Sequence, residues 1–173
     1  MNPSTTNPIT KSKLHNELKV VIERTYKATL DEVWSLWTTK DGFESWWGPQ
    51  GFRAAIHELD PRVGGTLHYS MIADTPEMIA EMKKMKVAPT HGVRSRFTEL
   101  NPKTRLVLTN VIDFLPGVTA YESDIQVDLT TIGNSVRMVV TLDGMHDEKF
   151  TGMQKEGFTS QLTKLDKRYG WQG

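Results

Sequence analysis

Apolar residues recur at every second position in several short segments of this chain, and at helical spacing in one long segment near its end. Alternation places apolar side chains on one face of a strand, whereas spacings of three or four place them on one face of a helix. The long segment spans about residues 147–169, and its apolar residues are Phe150, Met153, Phe158, Leu162, Leu165 and Tyr169. We predict an amphipathic helix of roughly 35 Å. Its apolar face must pack against a sheet.

The alternating segments predict about seven strands. The first covers residues 18–27, and six more follow at residues 52–59, 66–71, 91–100, 105–114, 119–131 and 136–142. The last two alternate most clearly, and the Gly133-Asn134 pair between them is typical of a tight hairpin. One face of this pair is apolar and the other polar, which favours an antiparallel sheet that is covered on one side.

Helices are predicted at two further places. Thr29 and Glu32 have the spacing of a capping box, which predicts the start of a short helix. Residues 40–42 are predicted to break it, and residues 43–47 form a second short helix or turn. A helical insertion with three methionines is predicted at residues 75–86.

The element order is strand, two short helices, six strands and a long helix. Consecutive strands favour an antiparallel meander with the helices on one side, so we predict an α+β fold: a curved sheet around the C-terminal helix. Residues 1–16 are rich in Asn, Pro, Ser and Thr and are predicted to form a flexible tail. Residues 17–170 are predicted to form a single domain.

Composition narrows the function classes. The chain has 173 residues, equal numbers of acidic and basic side chains, and no cysteine. A balanced charge gives no general affinity for nucleic acid, and no segment has the apolar length of a membrane span, so we predict neither nucleic-acid binding nor stable membrane insertion. The absence of cysteine excludes disulfides and thiolate chemistry and is compatible with a cytoplasmic location, which we take as the expectation.

Five short motifs, in order along the chain, resemble a known family. They are Asp31-Glu32-Val33-Trp34 with Trp46-Trp47-Gly48-Pro49, then Asp60-Pro61-Arg62-Val63-Gly64-Gly65, Glu99-Leu100-Asn101-Pro102-Lys103-Thr104-Arg105-Leu106-Val107, Thr141-Leu142-Asp143-Gly144-Met145, and Gly157-Phe158 with Leu162 and Leu165. Together they resemble the branch of the START/SRPBCC superfamily that is similar to the activator of heat-shock-protein-90 ATPase.

That resemblance implies a helix-grip fold with a cavity between sheet and helix, and a hydrophobic or amphipathic small molecule as the ligand. It also implies two alternatives: polyketide cyclase-like or hydrolase-like catalysis, and a co-chaperone-like interaction with a chaperone. The co-chaperone relative carries an additional N-terminal domain, which we do not expect within these 173 residues. The Met-rich insertion also departs from the simple hairpin of the family pattern.

Titratable residues offer few candidates for chemistry. Alternation does not decide which face of the sheet His57 lies on, whereas it places His68 away from the apolar face. The histidines do not have the spacing of metal ligands, so we predict neither a metal site nor a cofactor. Asp113 and Glu122 are candidates for acid–base catalysis if they lie inside, but are inert if they lie on the outer face. The face that carries Arg94 and Arg96 either lines the cavity, where it could hold a carboxylate or phosphate group, or is a solvated outer face.

Aromatic residues near the two short helices either line a pocket or fill the core, and the pattern leaves both open. From alternation and helical phase we predict one set of ligand-lining residues. It consists of Trp37, Phe43, Trp47, Tyr69, Met71, Phe97, Leu108, Met153 and Phe158.

Overall fold

The computed structural model describes residues 19–113 and 115–172 of the chain. The strands within them are β1 (Val20–Tyr26), β2 (Phe52–Leu59), β3 (Thr66–Ala73), β4 (Thr90–Asn101), β5 (Arg105–Ile112), β6 (Tyr121–Ile132) and β7 (Ser135–Leu142). The helices are α1 (Leu30–Thr38), α2 (Lys40–Glu44), α3 (Pro76–Lys84) and α4 (Glu148–Arg168). The observed strand bounds lie within about two residues of the predicted ones, and the predicted tail at residues 1–16 lies outside the described residues.

All seven strands form one antiparallel sheet in the order β1-β7-β6-β5-β4-β3-β2. Strands β2 to β7 follow each other as a meander. Strand β1 lies at the opposite edge from β2 and pairs with β7, so that Val20 lies opposite Leu142. The sheet curls into a half-barrel with α4 as its long C-terminal helix. The predicted α+β helix-grip architecture is therefore confirmed.

The two faces of the sheet differ in the way that alternation predicts. On the concave face, Ile125, Val127 and Leu129 of β6 are buried within the core. The outer face carries exposed ion pairs such as Arg96 with Glu122, and exposed pairs of this kind contribute little to stability. The interpretation of Arg96 and Glu122 as members of a solvated outer face is therefore the observed one.

Local capping sets the positions of the two short helices. The Thr29 side chain accepts a hydrogen bond from the Glu32 amide at 3.1 Å, and the Glu32 carboxylate accepts one from the Thr29 amide at 3.2 Å. This is the predicted capping box. The predicted break at residues 40–42 is wrong, because α2 already begins at Lys40, where the Thr39 hydroxyl accepts a hydrogen bond from Gly42.

Helix α4 spans the open side of the half-barrel and contacts both edge strands. Its Asp166 accepts a hydrogen bond from Arg24 of β1 at 3.0 Å. Its Lys164 donates to the carbonyl of Phe52 in β2 at 3.1 Å. The helix thus connects the first and last strands of the sheet order.

No helix among the described residues is long and apolar enough to cross a bilayer.

The C-terminal half of α4 carries the apolar contact with the core. Phe158, Leu162 and Leu165 are at most 6 % exposed and belong to the core cluster, as predicted. The predicted inward position of Met153 is wrong, because its side chain is 55 % exposed. Met153 lies five positions before Phe158. At about 100° per residue, the two side chains therefore lie roughly 140° apart around the helix.

Candidate functional site

An aromatic cluster closes the end of the half-barrel where β1 leads into α1 and α2. Trp37 packs edge-on against Trp46 and Trp47, with ring centroids 5.0 and 5.6 Å apart, and stacks on Phe158 of α4 at 6.4 Å. Phe43 stacks on Trp47 at 4.4 Å. None of these five side chains is more than 6 % exposed. Of the two interpretations left open by the sequence, core filling describes this cluster.

The indole groups of the cluster all have hydrogen-bond partners. Trp47 donates to the hydroxyl of Tyr69 at 2.9 Å, Trp46 donates to a backbone carbonyl at 3.0 Å, and Trp37 donates to the sulfur of Met138 at 3.4 Å. Burial raises the pKa of Tyr69 to about 12, although the hydrogen bond from Trp47 acts in the opposite direction. Tyr69 is therefore neutral at physiological pH, and the cluster presents no unpaired indole.

Three polar residues lie side by side on the concave face. Ser95 of β4 lies opposite Asn110 of β5, which lies opposite Ser123 of β6. We call these three residues the polar row. Ser95 and Ser123 are 5 % and 2 % exposed, and the Ser95 hydroxyl donates to Oδ1 of Asn110. An uncharged hydrogen-bonding strip thus crosses an otherwise apolar surface.

Apolar rows flank the polar row in the sheet register. On one side, Phe97 lies opposite Leu108, which lies opposite Ile125. On the other side, Ile112 lies opposite Tyr121, whose hydroxyl accepts a hydrogen bond from the His146 amide at 3.2 Å. Along the strand direction, the concave face therefore carries an apolar row, the polar row and a second apolar row.

Three buried side-chain atoms have no hydrogen-bond partner in the described part of the chain. They are Oγ of Ser123, Oε1 of Gln154 and Nε2 of Gln161. Ser123 lies on the sheet wall, whereas both glutamines lie on α4 within about 60° of Phe158 around the helix. The other amide atom of Gln161 is paired, because its Oε1 accepts from the Gly48 amide at 2.9 Å. Unpaired buried polar atoms are uncommon in folded proteins, so these three atoms require an explanation.

The N-terminal half of α4 contains a glycine with open space beside it. Gly157 is half-buried on the flank of the helix that also carries Gln154 and Gln161, and a Cβ built on it meets no atom within 4 Å. By contrast, a Cβ on Gly42 in α2 would lie 2.1 Å from a backbone oxygen. Close packing therefore requires the glycine in α2, whereas open space borders the one in α4.

The predicted lining residues fall into three groups. Seven are buried in the single core cluster: Trp37, Phe43, Trp47, Tyr69, Phe97, Leu108 and Phe158. Met71 is partly buried against that cluster. Met153 is exposed and does not belong to it. Ligand contact by the first eight stays a prediction.

Sequence reasoning missed the polar residues of the site. Ser123 has the same phase as Ile125 and Val127, and Ser95 has the same phase as Phe97, so alternation alone already places these serines inside. Asn110 could be assigned in the same way from Leu108. The signal was present in the sequence, but polar residues in an apolar phase are easily taken for interruptions of the pattern.

The other candidates for chemistry lie outside this site. His68 faces outward as predicted, and a register shift between Ile56 and Glu58 brings His57 to 2.7 Å from the hydroxyl of Ser70. Desolvation, together with the nearby Arg94 charge, lowers the pKa of His68. Asp113 is exposed after β5. With Glu122 on the outer face as well, neither predicted catalytic carboxylate lies inside.

Comparisons with known proteins agree with this fold. A protein of Chromobacterium violaceum superposes with a TM-score of 0.70 at 20% identity, covering 88% of this chain and 97% of that one. The AHSA1 protein of Silicibacter pomeroyi gives 0.68 at 19% identity, covering 87% and 96%. A protein of Arthrobacter aurescens gives 0.69 at 20% identity, covering 87% and 85%. A comparison with curated proteins found no match.

The sequence itself identifies the family. Residues 27–170, which include the whole sheet after β1 and all four helices, match the family described as Activator of Hsp90 ATPase homolog 1-like protein. The fold, the element order and this match agree with one another. The chain therefore belongs to the Activator of Hsp90 ATPase homolog 1-like family.

Proposed function

We propose that this protein binds a hydrophobic or amphipathic small molecule between the concave face of the sheet and the N-terminal half of α4. The fold of the family commonly binds hydrophobic ligands. We place this activity in the cytoplasm, a compartment with which the absence of cysteine is compatible. The observation that carries the proposal is the presence of two buried, unpaired oxygens, Oγ of Ser123 on the sheet and Oε1 of Gln154 on α4.

Free energy explains why this pair supports binding. A buried polar atom without a partner costs roughly 1–3 kcal/mol relative to a paired one. A protein gains nothing in stability from such atoms, and the same positions filled by apolar residues would stabilise the core. A ligand that supplies the missing partners recovers this cost on binding, so the unpaired oxygens favour the ligand-bound state.

The packing of the interior supports the same location. The aromatic cluster is closely packed around Trp37, whereas open space borders Gly157 one turn before Gln161. We propose that Phe97, Leu108 and Met71 contact the apolar part of the ligand, because they lie on or beside the concave face. Trp47 and Phe158 form the closed end of the site, and exposed Met153 is not part of it.

Filling the space beside Gly157 tests this location. We expect the neutral fluorescent probe N-phenyl-1-naphthylamine to bind wild-type protein saturably at one site, and Gly157→Leu to weaken binding at least roughly tenfold. Steric exclusion is the reason, since the new side chain occupies the proposed site. Fluorescence titration measures the effect.

Gly152→Leu is the matched control. Gly152 is an exposed glycine of the same helix, and a Cβ on it also meets no atom within 4 Å. Both variants replace glycine within a helix and should stabilise it by up to about 1 kcal/mol, so neither should unfold the protein. Equal probe affinities in the two variants, or no saturable binding to wild type, would contradict the proposed function.

A further inference from the structure

We infer that the bound molecule is electrically neutral and carries a hydroxyl or carbonyl group, which the polar row holds in a fixed position on the concave face. This inference rests on the proposed function and specifies the chemical class of its ligand. It comes from the identity of the groups in the row and from the absence of charge within it.

The hydrogen-bonding capacity of the row defines the complementary group. Ser95 already donates to Oδ1 of Asn110, which leaves the NH₂ group of Asn110 as a donor. The neighbouring Ser123 hydroxyl, 2 % exposed and unpaired, can both donate and accept. Oε1 of Gln154 on α4 is also an unpaired acceptor. Together they offer donors to a carbonyl oxygen and both donors and an acceptor to a hydroxyl.

Charge excludes an ionised head group at this position. The polar row contains no ionisable side chain, and an isolated carboxylate or ammonium group buried there would have no counter-ion. Two cations that contact or belong to α4 are already engaged: Arg24 binds Asp166, and Lys164 donates to the carbonyls of Gly48 and Phe52.

The flanking rows indicate that the ligand's hydroxyl or carbonyl group has apolar parts of the ligand around it and does not lie at a solvated end of the ligand. Phe97 and Leu108 lie one step along the strands on one side of the polar row, and Ile112 lies one step on the other. A ligand across the row would contact apolar side chains on both sides of its hydroxyl or carbonyl. A phenol or a ring ketone has this distribution, whereas a fatty acid does not.

Three bicyclic compounds of nearly equal size separate the alternatives: naphthalene, 2-naphthol and 2-naphthoate. We expect calorimetric titration at pH 7 to give roughly tenfold tighter binding of 2-naphthol than of naphthalene, the effect of about one recovered hydrogen bond. The anion 2-naphthoate should bind more weakly than both. In Ser123→Ala the preference for naphthol should fall toward unity while naphthalene binding persists.

Two further measurements keep the outcome decisive. Ser123→Ala should leave the free energy of unfolding unchanged or raise it, because the substitution removes an unpaired buried hydroxyl. If the Ser123 hydroxyl had a structural partner, the substitution would lower the free energy of unfolding. Ser70→Ala on the outer face is the control and should keep the naphthol preference. If naphthol and naphthalene bind equally, or if naphthoate binds most tightly, this inference fails while the proposed function stands. If none of the three binds, the proposed function fails as well.

Discussion

At the scale of single residues, the interior contains polar groups that have hydrogen-bond partners and others that have none, and we propose that only the unpaired ones serve ligand binding. In the aromatic cluster, the polar group of each tryptophan has a partner, as in the hydrogen bond from Trp47 to Tyr69. In the polar row, Ser123 has none. Paired groups specify packing, whereas an unpaired group costs stability and is retained only where it serves another purpose.

Tyr69→Phe tests the structural part. Removing the hydroxyl leaves the Trp47 N–H buried without an acceptor, so we expect a loss of about 1–2 kcal/mol in the free energy of unfolding at pH 7. The wild-type folded state keeps its proton up to about pH 12, whereas the unfolded tyrosine releases it near pH 10. The folded state therefore binds more protons between these values, and wild-type stability falls as pH rises through this window.

The variant lacks that contribution and should lose stability less steeply above pH 10. Urea unfolding followed by tryptophan fluorescence at pH 7, 10 and 11 measures both effects. Identical slopes in the two proteins above pH 10 would show that the Tyr69 hydroxyl is not buried as described.

At the scale of elements, α4 has two halves with different roles. Its C-terminal half packs Phe158, Leu162 and Leu165 into the core. Its N-terminal half contains two glycines, Gly152 and Gly157, which are weak helix formers. Apolar burial therefore holds only the second half, and the first half, which borders the proposed site, depends on its cap.

Asp147 supplies that cap. Its side chain accepts a hydrogen bond from the Phe150 amide at 2.8 Å, so Asp147→Ala should cost roughly 1 kcal/mol in the free energy of unfolding. Asp147→Asn keeps an acceptor at the same place and should cost much less. Amide hydrogen exchange should show lost protection in the first turn of α4 for the alanine variant alone. Equal exchange in both variants would mean that the cap does not hold this half of the helix.

At the scale of the whole molecule, α4 contacts both edge strands of the sheet across the open side of the half-barrel. Asp166 accepts from both Arg24, at 3.0 Å, and Tyr26, at 2.6 Å, at the β1 edge. Burial, followed by the hydrogen bond to Asp166, raises the pKa of Tyr26 well above its usual range. Lys164 contacts the β2 edge. The space between sheet and helix depends on these contacts, since they set the position of α4.

Asp166→Ala should destabilise the protein by roughly 3 kcal/mol, because Arg24 and Tyr26 then remain poorly solvated without their acceptor. The matched control is Glu23→Ala, which breaks the exposed ion pair with Arg137 on the outer face and should have a much smaller effect. Urea unfolding of both variants gives the comparison. Similar losses in the two would mean that Asp166 is no more important than a surface charge.

The sequence by itself determined the elements, their order and most of their facing. Strand alternation and helix capping depend on covalent geometry and on neighbours a few residues apart, so the predictions for β2 and for the Thr29 capping box agree with the structure. The same local logic placed Phe158 inside. It was wrong for Met153, where a five-residue interval was taken as one helix face.

Only the tertiary structure decided what those faces form together. Cross-strand register aligned Ser95, Asn110 and Ser123, and the curl of the sheet brought α4 against both edges. The contact between Arg24 and Asp166 joins residues 142 positions apart. Such contacts depend on the register and curvature of the entire sheet, which no local pattern encodes. The fold and the inward facing of these polar residues could therefore be predicted from the sequence, whereas their alignment in one row could not.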